Sequence, residues 1–188
     1  VFILYILGDY AQAIYESKYK NACEAERQKI IKNGVRRPMW IEEYDFSDLL
    51  NEICKIKGLE RLRISSIEIT ELDDKFLETL KNNKVIVDHM HIPLQSGCDK
   101  TLKEMNRKYD VAYFKDKINK IRSIRPNISI TTDVIVGFPN ETEDDFNTTV
   151  NTIKEIKFTK LHVFPFSVRK GTVAETMEKQ IDEKTKKE

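Results

Sequence analysis

The chain has 188 residues, of which 40% are hydrophobic, so it can bury one ordinary core and fits a single domain or part of a larger one. Its 32 basic and 31 acidic residues exclude a global basic excess as the basis for binding nucleic acid. No apolar run reaches the length of a membrane span and the start carries no secretory signal, which favours a cytoplasmic protein.

The three cysteines, Cys23, Cys54 and Cys98, lie far apart in the sequence. This spacing is typical of reduced thiols rather than of a disulfide framework. The chain starts with Val and stops within a charged run, so we expect it to be a piece of a longer protein.

The first 44 residues form an atypical segment, for which the pattern predicts a short strand and then a helix over about 10–32. From residue 45 to residue 178, β-type runs alternate with helical patterns. Residues 179–188 form a charged tail. The predicted strands cover residues 61–68, 85–95, 128–136 and 161–166.

Four amphipathic helices are predicted between and before these strands. Asp110 is expected to cap one of them, and Thr142 with Asp145 resembles a capping box at the start of another. The apolar stripes that define the four helices are Phe46, Leu49, Leu50, Ile53 and Ile56; Phe76, Leu77 and Leu80; Val111, Phe114, Ile118 and Ile121; and Phe146, Val150, Ile153 and Ile156.

The alternation of strand and helix predicts an α/β fold with a parallel sheet, either doubly wound and open or part of a barrel. Two of its strands carry an unusual polar face, because parallel strands are ordinarily apolar on both sides. We expect this face to bear the functional site, the alternative being that it meets solvent or a neighbouring layer. Its members are His89, His91, Pro93 and Gln95 in one strand, and Ser129, Thr131 and Asp133 in the next.

No metal site is predicted. His89 and His91 lie two residues apart and so share a strand face, but no cysteine or carboxylate triplet stands near them in the sequence. Cys98 comes at an expected helix start and is interpreted as a small buried residue, with a reactive thiol as the alternative. No catalytic residue is assigned.

Two loops could contact a ligand. Gly137 follows a strand and lets backbone amides come close to a bound group, although an ordinary turn explains it equally well. The basic turn over residues 169–172 suits a phosphate, or is simply a solvated loop.

Five stretches in order and spacing resemble the radical S-adenosylmethionine (radical SAM) methylthiotransferases. They are ISSIE at 64–68, HMHIPLQSG at 89–97, MNRKY at 105–109, TTDVIVGFPNET at 131–142 and KLHVFPFSVRKGT at 160–172. The last stretch most resembles the branch that acts on threonylcarbamoyladenosine in tRNA.

The resemblance implies a partial (β/α) TIM-like barrel with cofactors at the carboxyl ends of the strands. It implies S-adenosylmethionine and a [4Fe-4S] cluster held by Cys-x-x-x-Cys-x-x-Cys as cofactors, and a second cluster on another domain. It also implies tRNA as the partner, with no role for a membrane or for DNA.

The resemblance also assigns site residues. Glu68, Gln95, Ser96 and Asp133 correspond to positions that contact the cofactor, and the three residues Gly137, Phe138 and Pro139 would shape the wall beside it. His91 and Arg169 are the candidates for substrate binding, Arg169 because its fork grips a phosphate or a carboxylate.

The chain departs from the family pattern in one important respect. Its cysteines are separated by 31 and 44 residues, so the cluster motif is absent from these 188 residues. Asn140 and Val173 stand where the family often has Gly and Pro, which turns tolerate.

Two other functions stay open. The chain could be a non-catalytic remnant that binds RNA or a partner through exposed barrel edges. As a separate expectation, residues 1–44 cover the open edges of the partial barrel. It could also be an unrelated (β/α) enzyme that uses His91 or Asp133 for proton transfer.

Overall fold

The computed structural model describes residues 3–4 and 45–187, which form an α/β fold. The elements in chain order are β1 (Ile3–Leu4), α1 (Phe46–Cys54), β2 (Arg61–Leu62), a 3-10 turn (Ile69–Glu71), α2 (Asp74–Asn82), β3 (His89–His91), α3 (Asp99–Glu104), α4 (Val111–Ile124), β4 (Ser129–Val136), α5 (Glu143–Ile156), β5 (Lys160–Pro165) and two further 3-10 turns (Val173–Glu175 and Thr185–Lys187). The helix predicted over 10–32 lies outside the described residues.

All strand pairs in the described part of the chain are parallel. β1 pairs with β2, and a second sheet has the order β3-β4-β5. Helices α3 and α4 connect β3 to β4, and α5 connects β4 to β5, as parallel strands require. This is the repeat of a (β/α) barrel, so the predicted fold class is confirmed. None of the helices described combines the length and the apolar character needed to cross a bilayer.

The chain divides into two compact units, Val1–Ile64 with Glu78–Val87 and Ser65–Leu77 with Asp88–Glu188. In the first, Asp45 and Asp48 form a capping box that begins α1. Leu50 and Ile53 are buried as predicted.

One residue of the α1 stripe was predicted wrongly. Ile56 is 46% exposed, because α1 ends at Cys54 and leaves Ile56 in the following turn.

The regular strands are shorter than the sequence predicts. Within the predicted strand 61–68, only β2 forms a regular strand. Within the predicted strand 85–95, only β3 does, and Ile86 and Gln95 form isolated bridges. The ladder between β3 and β4 breaks because Pro93 has no N–H to donate. From His91 to Gln95 the chain advances four residues while β4 advances three, from Thr131 to Val134, so one residue of β3 is bulged.

The Thr132 hydroxyl holds this bulge in place. It donates to the carbonyl of Ile92 at 2.7 Å and accepts from the N–H of Leu94 at 2.8 Å. Thr132 is fully buried, so the hydroxyl replaces ladder bonds that water cannot supply.

The core of the second unit lies on one face of the β3-β4-β5 sheet. Met90, Ile130 and Val134 have at most 1% exposure on this face, and Phe114, Ile118 and Ile121 of α4 are buried as predicted. Asp110 caps α4 through the N–H of Tyr113.

The buried stripe of α5 includes Ile156 as predicted but otherwise differs from the predicted one. Phe146 is 38% exposed, whereas Thr149 and Thr152 are buried. The reason is a close approach to Gly97, where an added Cβ would lie 2.8 Å from the Cβ of Thr152 and 2.9 Å from the Cα of Thr149. Small side chains therefore serve this contact better than large apolar ones.

The start of α5 joins it to α3. The predicted capping box between Thr142 and Asp145 is present. The Asp145 carboxylate also accepts from Lys100 Nζ at 2.6 Å and from the Cys98 thiol at 3.4 Å. Burial acts to raise the pKa of Asp145, but the hydrogen bonds from Lys100, Thr142 and Cys98 outweigh it and hold the pKa well below its usual range.

The Tyr109 hydroxyl ties the chain before α4 to the bulged segment. It donates to the carbonyl oxygens of Pro93 and Leu94, at 3.3 and 3.1 Å. Burial raises the pKa of Tyr109 to about 12, so the phenol stays protonated and keeps donating.

Substituting Tyr109→Phe should lower the free energy of unfolding by about 1 kcal/mol, because the Pro93 carbonyl loses this donor, while the Leu94 carbonyl keeps its hydrogen bond from the Ser96 N–H. Urea denaturation measures the change. The matched control is Tyr113→Phe, at an exposed ring, which should shift stability by less than about 0.5 kcal/mol. Equal effects of the two changes would contradict the role given to the Tyr109 hydroxyl.

Substituting Asp145→Asn should destabilise the protein at pH 7 and less so in acid. A carboxyl group whose pKa is depressed in the folded state stabilises the fold fully above its ordinary value near 3.8; the contribution begins to fall below that value and is lost completely only below the depressed pKa of the folded state. Denaturation at pH 7 and at about pH 3 should therefore show a partly narrowed difference between the two proteins. Asp144→Asn, in the same helical turn, is the control and should have little effect at either pH. A gap that stays constant with pH would refute the assignment.

Candidate active site

Three neighbouring strands form the polar face that strand alternation predicted. The register pairs His91 with Thr131, and Asp133 with His162. Paired residues of a parallel ladder point to the same side and successive residues alternate, so all four share one face. The polar row is confirmed for the residues of β3 and β4 and extends onto β5, but it does not include Gln95, which pairs with Val134 after the bulge.

The Asp133 carboxylate lies between two imidazoles. Its Oδ2 is 3.2 Å from His91 Nε2 and its Oδ1 is 3.1 Å from His162 Nδ1. On the far side of the first ring, His91 Nδ1 lies 2.9 Å from the Thr131 hydroxyl. The side chains of His91, Asp133 and His162 are 15%, 27% and 39% exposed, so the cluster is sheltered and still open to a ligand.

These hydrogen-bonded side chains can pass a proton from one to the next or bind a cation. A carboxylate only accepts hydrogen bonds, so each imidazole nitrogen that faces Asp133 carries a proton when nothing else is bound. The Thr131 hydroxyl can donate or accept, so it suits either tautomer of His91.

His162 was not among the predicted site residues. A signal for it was present, because Lys160 and His162 alternate with apolar residues in the last predicted strand. Its position beside Asp133 follows only from the register between β4 and β5, which the sequence does not contain.

The main chain of Gln95 lies against that of Asp133. Its N–H donates to the Asp133 carbonyl at 2.9 Å, and its carbonyl accepts from the N–H of Ile135 at 2.8 Å. Gln95 has a φ of 66°, a left-handed conformation that is unusual without Gly. The bulge makes Gln95 the bridge partner of Val134, so the ladder places Gln95 on the side of Val134 and not in the row of Asp133, contrary to the alternation predicted from the sequence.

Glu68 reaches the same end of β3 but already has a partner. The N–H of Ile67 donates to the His91 carbonyl at 3.1 Å, so the segment before Glu68 runs beside β3. The Glu68 carboxylate accepts from Arg107 at 2.9 Å. A ligand contact by Glu68 would have to share this carboxylate.

Ser96 makes internal contacts. It is fully buried, with its hydroxyl 3.2 Å from that of Thr149 and accepting from the N–H of Cys98 at 3.2 Å. The structure thus gives Ser96 a role in fixing the turn to α5. Cys98 is buried at the N-cap of α3.

In the loop after β4, a backbone amide binds the carboxylate of a residue four positions later. Gly137 has a φ of 72° and its N–H donates to Glu141 Oε2 at 2.5 Å. Burial raises the pKa of Glu141, although the N–H groups of Gly137 and Phe138 act in the opposite direction. These backbone amides therefore already hold an anion.

The tail covers part of this loop. The side chain of Lys186 contacts the position where Gly137 would carry a Cβ, and its Nζ donates to the Phe166 carbonyl at 3.0 Å. Phe138 packs edge-on against the Phe166 ring at 4.9 Å, and Pro139 is buried. Gly137 and Phe138 are thus packed against Lys186 and Phe166, and the predicted role of Gly137, Phe138 and Pro139 beside a cofactor stays a prediction. Arg169 lies in an exposed turn beyond β5.

Comparison with known proteins agrees with this geometry. The family model of the radical SAM superfamily matches residues 38–153. A threonylcarbamoyladenosine tRNA methylthiotransferase of Bacillus subtilis is 48% identical over 182 residues, which cover 95% of this chain and 39% of that protein. A tRNA-2-methylthio-N(6)-dimethylallyladenosine synthase of Natranaerobius thermophilus is 35% identical over 195 residues, which cover 97% of this chain and 43% of that protein.

Among solved structures, coproporphyrinogen III oxidase of Escherichia coli, a radical SAM enzyme, matches with a TM-score of 0.49 and 21% identity, over 57% of this chain and 24% of that one. The chain spans about two-fifths of the length of the curated relatives named here. The family model covers more than half of the chain, and the chain therefore belongs to the radical SAM superfamily.

Proposed function

We propose that this chain is part of an enzyme that attaches a methylthio group to N6-threonylcarbamoyladenosine in tRNA. The observation that carries the proposal is the 48% identity, over 95% of the chain, to a methylthiotransferase with that substrate in its name. Residues 45–178 would supply the second half of the barrel, with 1–44 as a separate segment and 179–188 as a tail. A tRNA substrate also favours a cytoplasmic location.

The polar face supports a small-molecule site at the carboxyl ends of the strands. His91 is the last residue of β3, and the Gln95 backbone is joined to Asp133 by a hydrogen bond. Barrel enzymes keep their sites at this edge. Carboxylate and amide groups can hold the amino-acid part or the ribose hydroxyls of S-adenosylmethionine, so Asp133 and Gln95 are the residues we assign to it.

Bound there, S-adenosylmethionine would supply the radical chemistry and the sulfonium methyl group of the family reaction. The role of this chain is to orient it, because His91 and His162 fix the Asp133 carboxylate from both sides.

The residues of this chain do not fit a [4Fe-4S] cluster. Such a cluster needs clustered thiolates, and the described residues hold the separate free thiols Cys54 and Cys98, while Cys23 is 31 residues before Cys54. No step is assigned to residues of this chain through the cluster.

The turn after β5 is the candidate contact with the nucleic acid. Arg169 and Lys170 are exposed there, and a guanidinium can grip a phosphate in bidentate fashion. With a net charge of +1 for the chain, such local contacts have to supply the attraction to tRNA.

Deleting the gene should abolish the methylthio group on threonylcarbamoyladenosine while the unmethylthiolated nucleoside accumulates. Mass spectrometry of nucleosides from digested tRNA measures both. The methylthio group on dimethylallyladenosine serves as the internal control and should be unchanged. If that second modification disappears instead, the enzyme belongs to the dimethylallyladenosine branch; if neither changes, the proposal is wrong.

A non-catalytic segment is the second candidate, and the cysteine spacing favours it for these 188 residues taken alone. Reconstituted with iron and sulfide, the isolated chain should show no [4Fe-4S] absorption band and should not cleave S-adenosylmethionine, because three scattered thiols cannot enclose a cluster. A band with stoichiometric iron, together with cleavage, would contradict this expectation.

A further inference from the structure

We propose that His91, Asp133 and His162 form a binding site for a divalent transition-metal ion, with Zn²⁺ as the best-matched occupant. The inference does not depend on the methylthiotransferase activity proposed above, but it competes with the assignment of the Asp133 carboxylate to S-adenosylmethionine, because it gives that carboxylate to the ion. It is also separate from any iron-sulfur cluster, because its ligands are imidazole and carboxylate groups rather than thiolates.

The three residues lie on three hydrogen-bonded strands of one sheet, so the backbone fixes their separations. Their donor atoms all lie within 4.8 Å of one another. Ligand atoms around a tetrahedral zinc ion are about 3.3 Å apart, given bonds of about 2.0–2.1 Å. The Asp133 carboxylate places a different oxygen at about this distance from each ring: Oδ2 is 3.2 Å from His91 Nε2, and Oδ1 is 3.1 Å from His162 Nδ1.

Two imidazoles and a carboxylate are a ligand set that first-row metals prefer. Imidazole suits zinc, iron and nickel, and a single carboxylate adds the negative charge. Three protein ligands leave the fourth position of a tetrahedral ion for water or a substrate atom, which is the pattern of catalytic rather than structural zinc. The 39% exposure of His162 leaves room for that fourth ligand.

The surrounding contacts support the tautomer that a metal requires. His91 can coordinate through Nε2 only if its proton sits on Nδ1, and the Thr131 hydroxyl at 2.9 Å from Nδ1 can accept that proton's hydrogen bond. Lys160, the register partner of Thr131, lies on the same face, but it is exposed and its charge is screened by solvent.

The competing explanation is that the three side chains only form hydrogen bonds with one another. In that case each imidazole donates to Asp133 and no ion binds tightly. The two explanations differ in a quantity that can be measured without S-adenosylmethionine or tRNA, so this test and the test of the proposed function fail independently.

The test is a titration of the full-length protein with Zn²⁺ in competition with a chromophoric chelator. Wild type should bind one equivalent more than His162→Gln or Asp133→Asn. His89→Gln is the matched control, because His89 lies on the same face of β3 outside the ligand set, and it should bind as wild type does. Thiols and any iron-sulfur cluster contribute equally to all four proteins.

The proposal is overturned if wild type binds no more Zn²⁺ than the Asp133→Asn variant, or if His162→Gln binds as much Zn²⁺ as wild type. His91→Gln provides a second removal of a ligand should Asp133→Asn fail to fold, and circular dichroism establishes which variants are folded. X-ray diffraction recorded on both sides of the zinc absorption edge should place the ion between His91, Asp133 and His162; an ion found elsewhere would also refute the assignment.

Discussion

The register of three parallel strands, with one buried hydroxyl bridging the break between two of them, determines where the polar groups of β3, β4 and β5 lie. Pro93 interrupts the ladder between β3 and β4, and Thr132 restores it by bonding to Ile92 and Leu94. Without this bridge the buried carbonyl of Ile92 and the N–H of Leu94 would lack these partners, at a cost of about 1–3 kcal/mol each. The bulge so stabilised moves Gln95 next to Asp133 and gives it a left-handed backbone.

The same register explains how much of the site could be predicted. Alternation along single strands placed His91 and Asp133 on one face, which the ladder confirms. Ser96 was chosen by resemblance, and its hydroxyl is engaged with Thr149 and the N–H of Cys98 instead of facing outward. His162 was missed because its neighbour Asp133 is 29 residues away in sequence, and no local pattern records that pairing.

Features that depend on neighbouring residues were predicted well from the sequence, whereas features that depend on long-range packing were not. The caps at Asp110 and at Thr142 were predicted because they depend on residues two or three positions away. The buried face of α5 was not, because it is set by the close approach of Gly97, more than fifty residues earlier, which favours Thr149 and Thr152 over Phe146. Strand lengths were overestimated for a similar reason: a run of β-forming residues does not reveal where the neighbouring strand ends.

The sequence distances inside the polar face bear on how the protein folds. Asp133 is 42 residues from His91 and 29 from His162, and each interval contains a complete helical crossover. Closing such loops costs entropy that only the finished sheet recovers, so the face does not exist in a partly folded chain. The complete polar face therefore requires both helical crossovers to have docked, because its three residues come from three different strands.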